Sequence, residues 1–282
     1  MYQSPISPLA YVKRNPVSIF LSPVTESEIL KIINELKLSK QGISEIPVKL
    51  FKEISLYIIP ALRLIINDCF SEGVYPECLK QASIIPIFKS GDPLSIENYR
   101  PISILPFFNK IFETTIYNRI NDFVSKCKLI SPEQFGFQKN RSTEQAITCF
   151  SENIYDTLNK KESAISVFID FSKAFETVNH SILLDKLEAY GIRGIALDLI
   201  SSYLSNRRHV TRIGGHVSSP KVVNISVPQG SNLGPIFFIL YVNDLLNISS
   251  LFSSILFADD LTLNFRHSNL ETLVRNCNSE IN

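Results

Sequence analysis

Hydrophobic positions recur every three or four residues over several stretches of the chain, which is the spacing of helices with one buried face. A capping-box pattern at Thr25 and Glu28 begins the first of these stretches, and another at Ser142 and Gln145 begins a later one. Helices are predicted at about 25–36, 47–70, 107–126, 142–160, 180–189, 194–205 and 235–246. Pro60 falls inside the second helix and predicts a kink or a break there.

Shorter runs rich in β-branched and apolar residues predict strands. ASIIPIFKSGDP (82–93) and SAISVFID (163–170) each read as a strand, short strands are expected over 208–227, and SSILFADDLTLNF (253–265) reads as a hairpin. Helices and antiparallel hairpins in mixed order predict an α+β domain whose sheet is backed by helices. Residues 1–24 are expected to form an extended arm, because most of this stretch is rich in Pro and Ser and has no period.

Composition narrows the class of protein but does not name a function. Of 282 residues, 45% are hydrophobic and 20% are charged, which predicts a folded chain, and the net charge of +1 neither requires nor excludes a nucleic-acid partner. Five scattered cysteines without a CxxC pair predict neither a zinc site nor a disulfide framework, and favour an intracellular location. The apolar run at 236–242 is too short to span a bilayer, so we expect no membrane partner.

Acidic residues stand where two predicted strands end. Asp170 closes the strand SVFID, and Asp259 and Asp260 lie between SSILFA and LTLNF. If these strands are neighbours, three carboxylates converge at one end of a sheet, where their repulsion would favour a bound cation such as Mg²⁺. Two such ions clamp the attacking and leaving oxygens in phosphoryl transfer. The simpler interpretation, that the two adjacent aspartates form an exposed hairpin turn, remains open.

Three ordered segments resemble motifs A, B and C of the reverse transcriptase palm. They are FIDFSKAFETVNHSILLDKL (168–187), SVPQGSNLGPIFFILYVNDL (226–245) and LFADDLTL (256–263). Their sequences are most similar to the same motifs in non-LTR retrotransposons of the jockey kind. Residues 85–120 resemble the fingers of that family, and 131–147 resemble the segment before motif A. The resemblance spans residues 25–282. It implies a right-hand polymerase fold, with helices and fingers at 25–160 and an antiparallel palm sheet backed by helices at 161–282.

The resemblance implies a site for two Mg²⁺ ions. Asp170, Asp259 and Asp260 match the family's metal-binding carboxylates, and the backbone carbonyl of Phe171 matches a further oxygen ligand. We expect Asp170 and Asp259 to bridge the metals, with Asp260 the less direct ligand.

The resemblance also implies a nucleotide site. Residues from Ser172 to Phe175 would run beside the triphosphate, and the Phe175 ring would lie under the sugar and exclude a 2′-OH. Gln229 and Gly230 would contact the nascent base pair, and Lys89 and Arg100 would neutralise the triphosphate. Two simpler interpretations remain, in which Phe175 is a core aromatic and Lys89 is a solvated surface residue.

The implied activity is RNA-directed DNA polymerisation, with an RNA template, a DNA primer and dNTPs as partners. A viral RNA-dependent RNA polymerase is an alternative, but it would favour Gly before the Asp pair and lacks an aromatic gate such as Phe175. A second alternative is an inactive remnant, because the chain ends at Asn282 and the family's thumb is expected to be absent. The isolated chain is therefore expected to bind metal weakly and to extend a primer poorly. The sequence predicts no oligomeric state.

Several residues depart from the family's pattern. Glu176 stands where Asp is common, and Gln138 and Asn140 stand where Arg and Gly are usual. Asn232 is unusual beside the motif B turn. In the segment 39–47, which looks shortened, Ser44 replaces an Asp, so template contacts by that loop are in doubt.

Overall fold

The computed structural model describes residues 7–36, 47–228 and 230–281, and its helices and strands form an α+β fold, as predicted. The helices are α1 (Glu26–Glu35), α2 (Val48–Glu72), α3 (Phe107–Lys126), α4 (Thr143–Asn159), α5 (His180–Ala189), α6 (Ile195–Leu204), α7 (Gly234–Val242) and α8 (Leu270–Ile281). The strands are β1 (Gln81–Phe88), β2 (Tyr99–Ile104), β3 (Ser163–Asp170), β4 (Arg207–Ile213), β5 (His216–Val217), β6 (Lys221–Val223), β7 (Phe252–Phe257) and β8 (Asp260–His267). Apart from Pro47, the shortened segment 39–47 lies outside the described residues.

The strands form two sheets with different pairing. The five-stranded sheet has β1 between antiparallel β2 and parallel β4, and both β5 and β6 pair antiparallel with β4. The three-stranded sheet has the order β3-β8-β7 and is antiparallel throughout. In this second sheet the strand that ends at Asp170 lies beside the hairpin that carries Asp259 and Asp260, as the sequence predicts.

One large hydrophobic core supports the three-stranded sheet. Along β8, Leu261, Leu263 and Phe265 are buried at every second position, which is the period of a strand with one covered face. They belong to the same core as Phe237 in α7 and Leu183 in α5. The sheet is therefore backed by helices, and its strand ends are fixed by that packing.

Helix α2 continues through Pro60, so of the predicted kink or break the structure excludes the break. Pro60 removes the hydrogen bond to the carbonyl of Leu56, and both residues are exposed, so water can pair with that carbonyl. By length and composition α2 could cross a membrane, but core helices of soluble proteins pass the same test. Phe51 and Ile66 on its inner face are completely buried in the main core.

Part of the predicted N-terminal arm lies against the end of α5, and residues 8–11 form a turn, not an extended segment. The backbone N–H groups of Asn15 and Ile19 donate to the carbonyls of Ala189 and Gly191, each at 2.9 Å. A Cβ atom on Gly191 would lie 2.1 Å from the carbonyl oxygen of Val17, so the arm approaches at a point where only glycine fits.

Candidate active site

Asp170 and Asp260 lie directly opposite each other in the three-stranded sheet. Asp170 is the last residue of β3, Asp260 is the first residue of β8, and the two are partners in the antiparallel register. Opposed residues project from the same face of a sheet, with Cβ atoms about 4.5–5.5 Å apart. The two carboxylates therefore share one face at one end of this sheet.

The tight turn between β7 and β8 carries the third carboxylate. Phe257 pairs with Asp260 across the hairpin, so Ala258 and Asp259 form a two-residue turn. Ala258 has a φ of +59°, a conformation that tight hairpins require and that residues with a side chain adopt at some cost. Asp259 is thus held between two strand ends, next to Asp260.

The electrostatics of this cluster favour a cation. Burial raises the pKa of Asp260 above its ordinary value of 3.8, and the negative charges of Asp259 and Asp170 raise it further. Within the described residues no group of three or more His, Cys, Asp or Glu side chains is arranged to hold a metal ion by itself. Carboxylate oxygens are hard donors of the kind that Mg²⁺ prefers, and Mg²⁺ commonly combines one or two carboxylates with substrate phosphates.

The chain turns away from the sheet directly after Asp170. Phe171 is half-buried against the main core, and Ser172 is exposed in a turn that leads into a 3-10 helix, Ala174–Glu176. Lys173 has a φ of +54°. Turns of this kind bring successive backbone N–H groups to one side, where an anion can bind.

The Phe175 ring is half-buried between two other aromatic rings. It stacks on Phe238 of α7 with centroids 4.6 Å apart, and it meets the ring of Phe137 edge-on at 5.7 Å. The core-aromatic interpretation is therefore correct for part of the ring. Contact with a sugar remains a prediction.

The motif B segment is tied to the motif A segment through the backbone. Val227 donates its N–H to the carbonyl of Phe175 at 3.0 Å, and Ser226 donates to Val178 at 2.9 Å. Gly230 has a φ of +102°, and a Cβ atom there would lie 2.9 Å from the carbonyl oxygen of Ser103 in β2. Glycine is thus required at position 230.

Gln229, the neighbour predicted to contact the nascent pair, lies outside the described residues. Nothing in the structure bears on its placement.

Lys89 and Arg100 lie on the β1–β2 hairpin and are both exposed. Arg100 is paired with Ile87, and the backbone N–H of Lys89, just after β1, donates to the carbonyl of Asn98 at 2.8 Å. A cleft between the five-stranded sheet and motifs A and B is lined by Pro101, Ser103, Glu176 and Pro228, among others. Neither Lys89 nor Arg100 lines this cleft, and Arg100 projects from the opposite face of β2 to its neighbour Pro101, because successive side chains in a strand alternate between faces.

Helix α3 contributes a buried carboxyl group that sequence reasoning missed. Glu113 is 0% exposed, and it accepts hydrogen bonds from the Tyr203 hydroxyl at 2.7 Å and from the backbone N–H of Asn232 at 2.8 Å. Burial raises the pKa of Glu113 above its ordinary value of 4.5, against these bonds and the charge of Arg207. Asn232 also donates from Nδ2 to Thr114 Oγ1 at 2.7 Å. The unusual Asn232 thus holds the motif B turn against α3.

Gln134, in the segment before α4, was also missed. It is 0% exposed and contacts the backbone of the aspartate turn. The sequence gives a weak signal only, because QFGF (134–137) resembles the family without any residue of obvious chemistry.

The α+β fold, with its mixed sheet and its helices, is consistent with the palm and fingers of a reverse transcriptase. Residues 87–281 match the family described as "Reverse transcriptase (RNA-dependent DNA polymerase)", and the chain belongs to that family. The resemblance seen in motifs A, B and C is confirmed.

Three relatives support a link to retrotransposons. The chain is 33% identical over 81% of its length to "Probable RNA-directed DNA polymerase from transposon BS" of Drosophila melanogaster. It is 32% identical over 81% of its length to "RNA-directed DNA polymerase from mobile element jockey" of the same species. It is 32% identical over 73% to "Probable RNA-directed DNA polymerase from transposon X-element", also of that species. These matches cover 25%, 25% and 23% of the relatives, so the chain spans about a quarter of their length.

Proposed function

We propose that this chain forms the fingers and palm of an RNA-directed DNA polymerase, in which the 3′-OH of a DNA primer attacks the α-phosphate of a dNTP on an RNA template. The new bond joins the primer oxygen to that phosphorus, and pyrophosphate leaves. The pairing of Asp170 with Asp260 carries the proposal, because it brings the carboxylates of two separate motifs to one face. In phosphoryl transfer the protein contributes mainly positioning and electrostatic stabilisation.

The carboxylates of Asp170, Asp259 and Asp260, with the carbonyl of Phe171, are the groups that would hold two Mg²⁺ ions. When bound, such ions stabilise charge on the attacking and leaving oxygens. The chain's own contribution is to fix these oxygen donors at a strand end and a tight turn. Mutual repulsion of the aspartates supports the assignment, since a cation would relieve it.

The remaining predicted residues are proposed to serve the same site. The turn at Ser172 and Lys173 offers backbone N–H groups to the triphosphate, and Arg100 and Lys89 on the β1–β2 hairpin supply positive charge. Phe175 would set the choice between deoxyribose and ribose, and Gly230, with Gln229, would allow the nascent pair to approach the backbone.

A chimeric enzyme tests this function. Residues of this chain would replace the matching quarter of the polymerase from mobile element jockey, and extension of a DNA primer on an RNA template would be measured. We expect Mg²⁺-dependent extension that Asp259→Asn abolishes and that Asp156→Asn, an exposed change on α4, leaves intact. Equal extension by both variants would contradict the proposed role of the aspartates.

A further inference from the structure

We infer that Gln134 and Gly136 are positioning residues that hold the Ala258–Asp259 turn in place, and through it the carboxylates of Asp259 and Asp260. Neither residue touches a reacting group. The inference rests on the proposed function, because it concerns how that site is built.

Gln134 joins two backbone segments through one oxygen atom. Its Oε1 accepts a hydrogen bond from the N–H of Gly136 at 2.7 Å and another from the N–H of Ala258 at 3.2 Å. Two donors converge on this oxygen, so the orientation of the amide is fixed by chemistry. Its Nε2 is buried and has no partner among the described residues. The side chain thus leaves one polar group unpaired while it satisfies the turn.

The backbone around Gln134 forms a short parallel extension of β7. Phe135 donates its N–H to the carbonyl of Leu256 at 2.7 Å, and Leu256 donates to the carbonyl of Glu133 at 2.9 Å. These bonds pair Gln134 with Leu256. The strand that leads into the aspartate turn is therefore bonded on its outer edge, just before the turn begins.

Gly136 allows the two segments to approach closely. A Cβ atom at this position would lie 2.1 Å from the nitrogen of Ala258 and 2.7 Å from its Cα. These are backbone atoms and cannot move aside as a flexible side chain can. Any larger residue at 136 must push the segment and the turn apart.

This segment is itself anchored at both ends. The ring of Phe135 is buried with Ile255 and Ala146, which join it to β7 and α4. On the other side, Phe137 packs edge-on against Phe175. The segment therefore connects the aspartate turn to α4 and to the aromatic ring at the nucleotide site.

Such a support matters because the turn that it contacts carries the carboxylate of Asp259. A two-residue turn with a positive φ at Ala258 places Asp259 where small backbone shifts change the spacing of the carboxylates. Groups that orient metal ligands commonly change metal affinity by roughly 10–100-fold when they are removed. The same range is expected for Gln134.

The experiment compares two buried amides in the full chain. Gln134→Met removes the acceptor and keeps the length of the side chain. Asn109→Leu is the matched control, because Asn109 is also 0% exposed and its Oδ1 accepts a hydrogen bond from the Tyr75 hydroxyl at 2.6 Å, in α3 and not in the segment that contacts the turn. Mn²⁺ affinity by electron paramagnetic resonance, amide hydrogen exchange of Ala258 and urea unfolding would be measured for both variants and for the unmodified chain.

We expect Gln134→Met to weaken Mn²⁺ binding by roughly 10–100-fold and to speed exchange at Ala258, whereas Asn109→Leu lowers stability and leaves Mn²⁺ affinity unchanged. Equal Mn²⁺ affinity in the unmodified chain and in Gln134→Met would overturn this inference and leave the proposed function standing. So would rapid exchange of the Ala258 amide in the unmodified chain, a result that needs no variant to fold. If Asp170→Asn leaves Mn²⁺ binding unchanged, the proposed function fails, and this inference fails with it.

Discussion

The carboxyl group of Glu113 in α3 accepts a hydrogen bond from the backbone N–H of Asn232, 2.8 Å away in the motif B turn. The other carboxyl oxygen accepts from the hydroxyl of Tyr203 in α6. A fully buried group thus connects two helices to the turn that precedes α7. Glu113 and Tyr203 therefore support the motif B turn from α3 and α6, although neither residue is predicted to contact the nucleotide.

The stability of the protein should depend on pH through Glu113. Because burial raises its folded pKa above the ordinary 4.5, the folded protein binds this proton more tightly than the unfolded chain does. The resulting stability is complete below pH 4.5 and is lost as pH rises through the folded pKa, by about 1.4 kcal/mol per unit of elevation. Urea unfolding would be measured at a series of pH values for the unmodified protein and for Glu113→Gln. The unfolding free energy of the unmodified protein minus that of Glu113→Gln should fall as pH rises. A difference that is constant or that grows with pH would contradict this prediction.

Tyr203→Phe should destabilise the protein by about 1–3 kcal/mol, because it leaves a buried carboxyl oxygen of Glu113 without its donor. Tyr155→Phe is the matched control, since Tyr155 is 68% exposed and such surface changes usually fall within about 0.5 kcal/mol. The measurement is the free energy of unfolding in urea. Equal values for the two variants would show that the hydroxyl of Tyr203 contributes nothing to the network.

Gly230→Ala should destabilise the protein for two reasons, the positive φ at this position and a clash with the backbone of β2. The new Cβ atom would meet the carbonyl oxygen of Ser103 at 2.9 Å, whereas one at Gly214, also at positive φ, has no atom within 4 Å. Backbone strain of this kind costs about 1–3 kcal/mol, and only Gly230→Ala adds the clash. We expect a larger fall in unfolding free energy than for Gly214→Ala, and a higher KM for dNTP in the chimera. Identical stability of the two variants would count against the close approach to β2.

Phe175→Ala in the chimeric polymerase should raise incorporation of ribonucleotides relative to deoxyribonucleotides. The reason is that the ring is proposed to occupy the space a 2′-OH would need. Phe168→Ala is the control, because Phe168 is 70% exposed on β3 and lies two residues before Asp170. Competition between dNTP and rNTP in single-nucleotide extension measures the effect. If discrimination is unchanged while stability falls, Phe175 is a core aromatic only.

Local patterns predicted the elements that carry the site. Apolar periodicity gave the bounds of α3 as found, the capping box at Ser142 marks the start of α4, and the strand ending on Asp170 is correct. Helix periodicity, helix caps and strand patterns are set by residues close together in the chain, so they can be recognised in a single sequence. Motif order added the expectation that Asp170 would meet the aspartate pair.

Contacts between distant segments could not be predicted in the same way. The exact pairing of Asp170 with Asp260 depends on the register of β3 and β8, which the intervening residues 171–259 leave open. Gln134 and Glu113 look like ordinary polar residues in sequence, because their partners, Ala258 and Asn232, lie 124 and 119 positions away. Pro60 did not end α2, and the sequence alone could not show that the carbonyl it leaves unpaired, on Leu56, lies on an exposed face of the helix.

Divalent metal binding by the purified chain tests the central claim most directly. Mn²⁺ would be titrated into the unmodified protein and into Asp170→Asn, Asp259→Asn and Asp156→Asn, with folding checked by circular dichroism. If the aspartates of β3 and of the β7–β8 turn form one site, the first two substitutions each weaken binding by more than about tenfold, a loss at least as large as that expected for a supporting residue, and Asp156→Asn does not. Equal Mn²⁺ affinity in all four proteins would contradict the claim that these carboxylates act together.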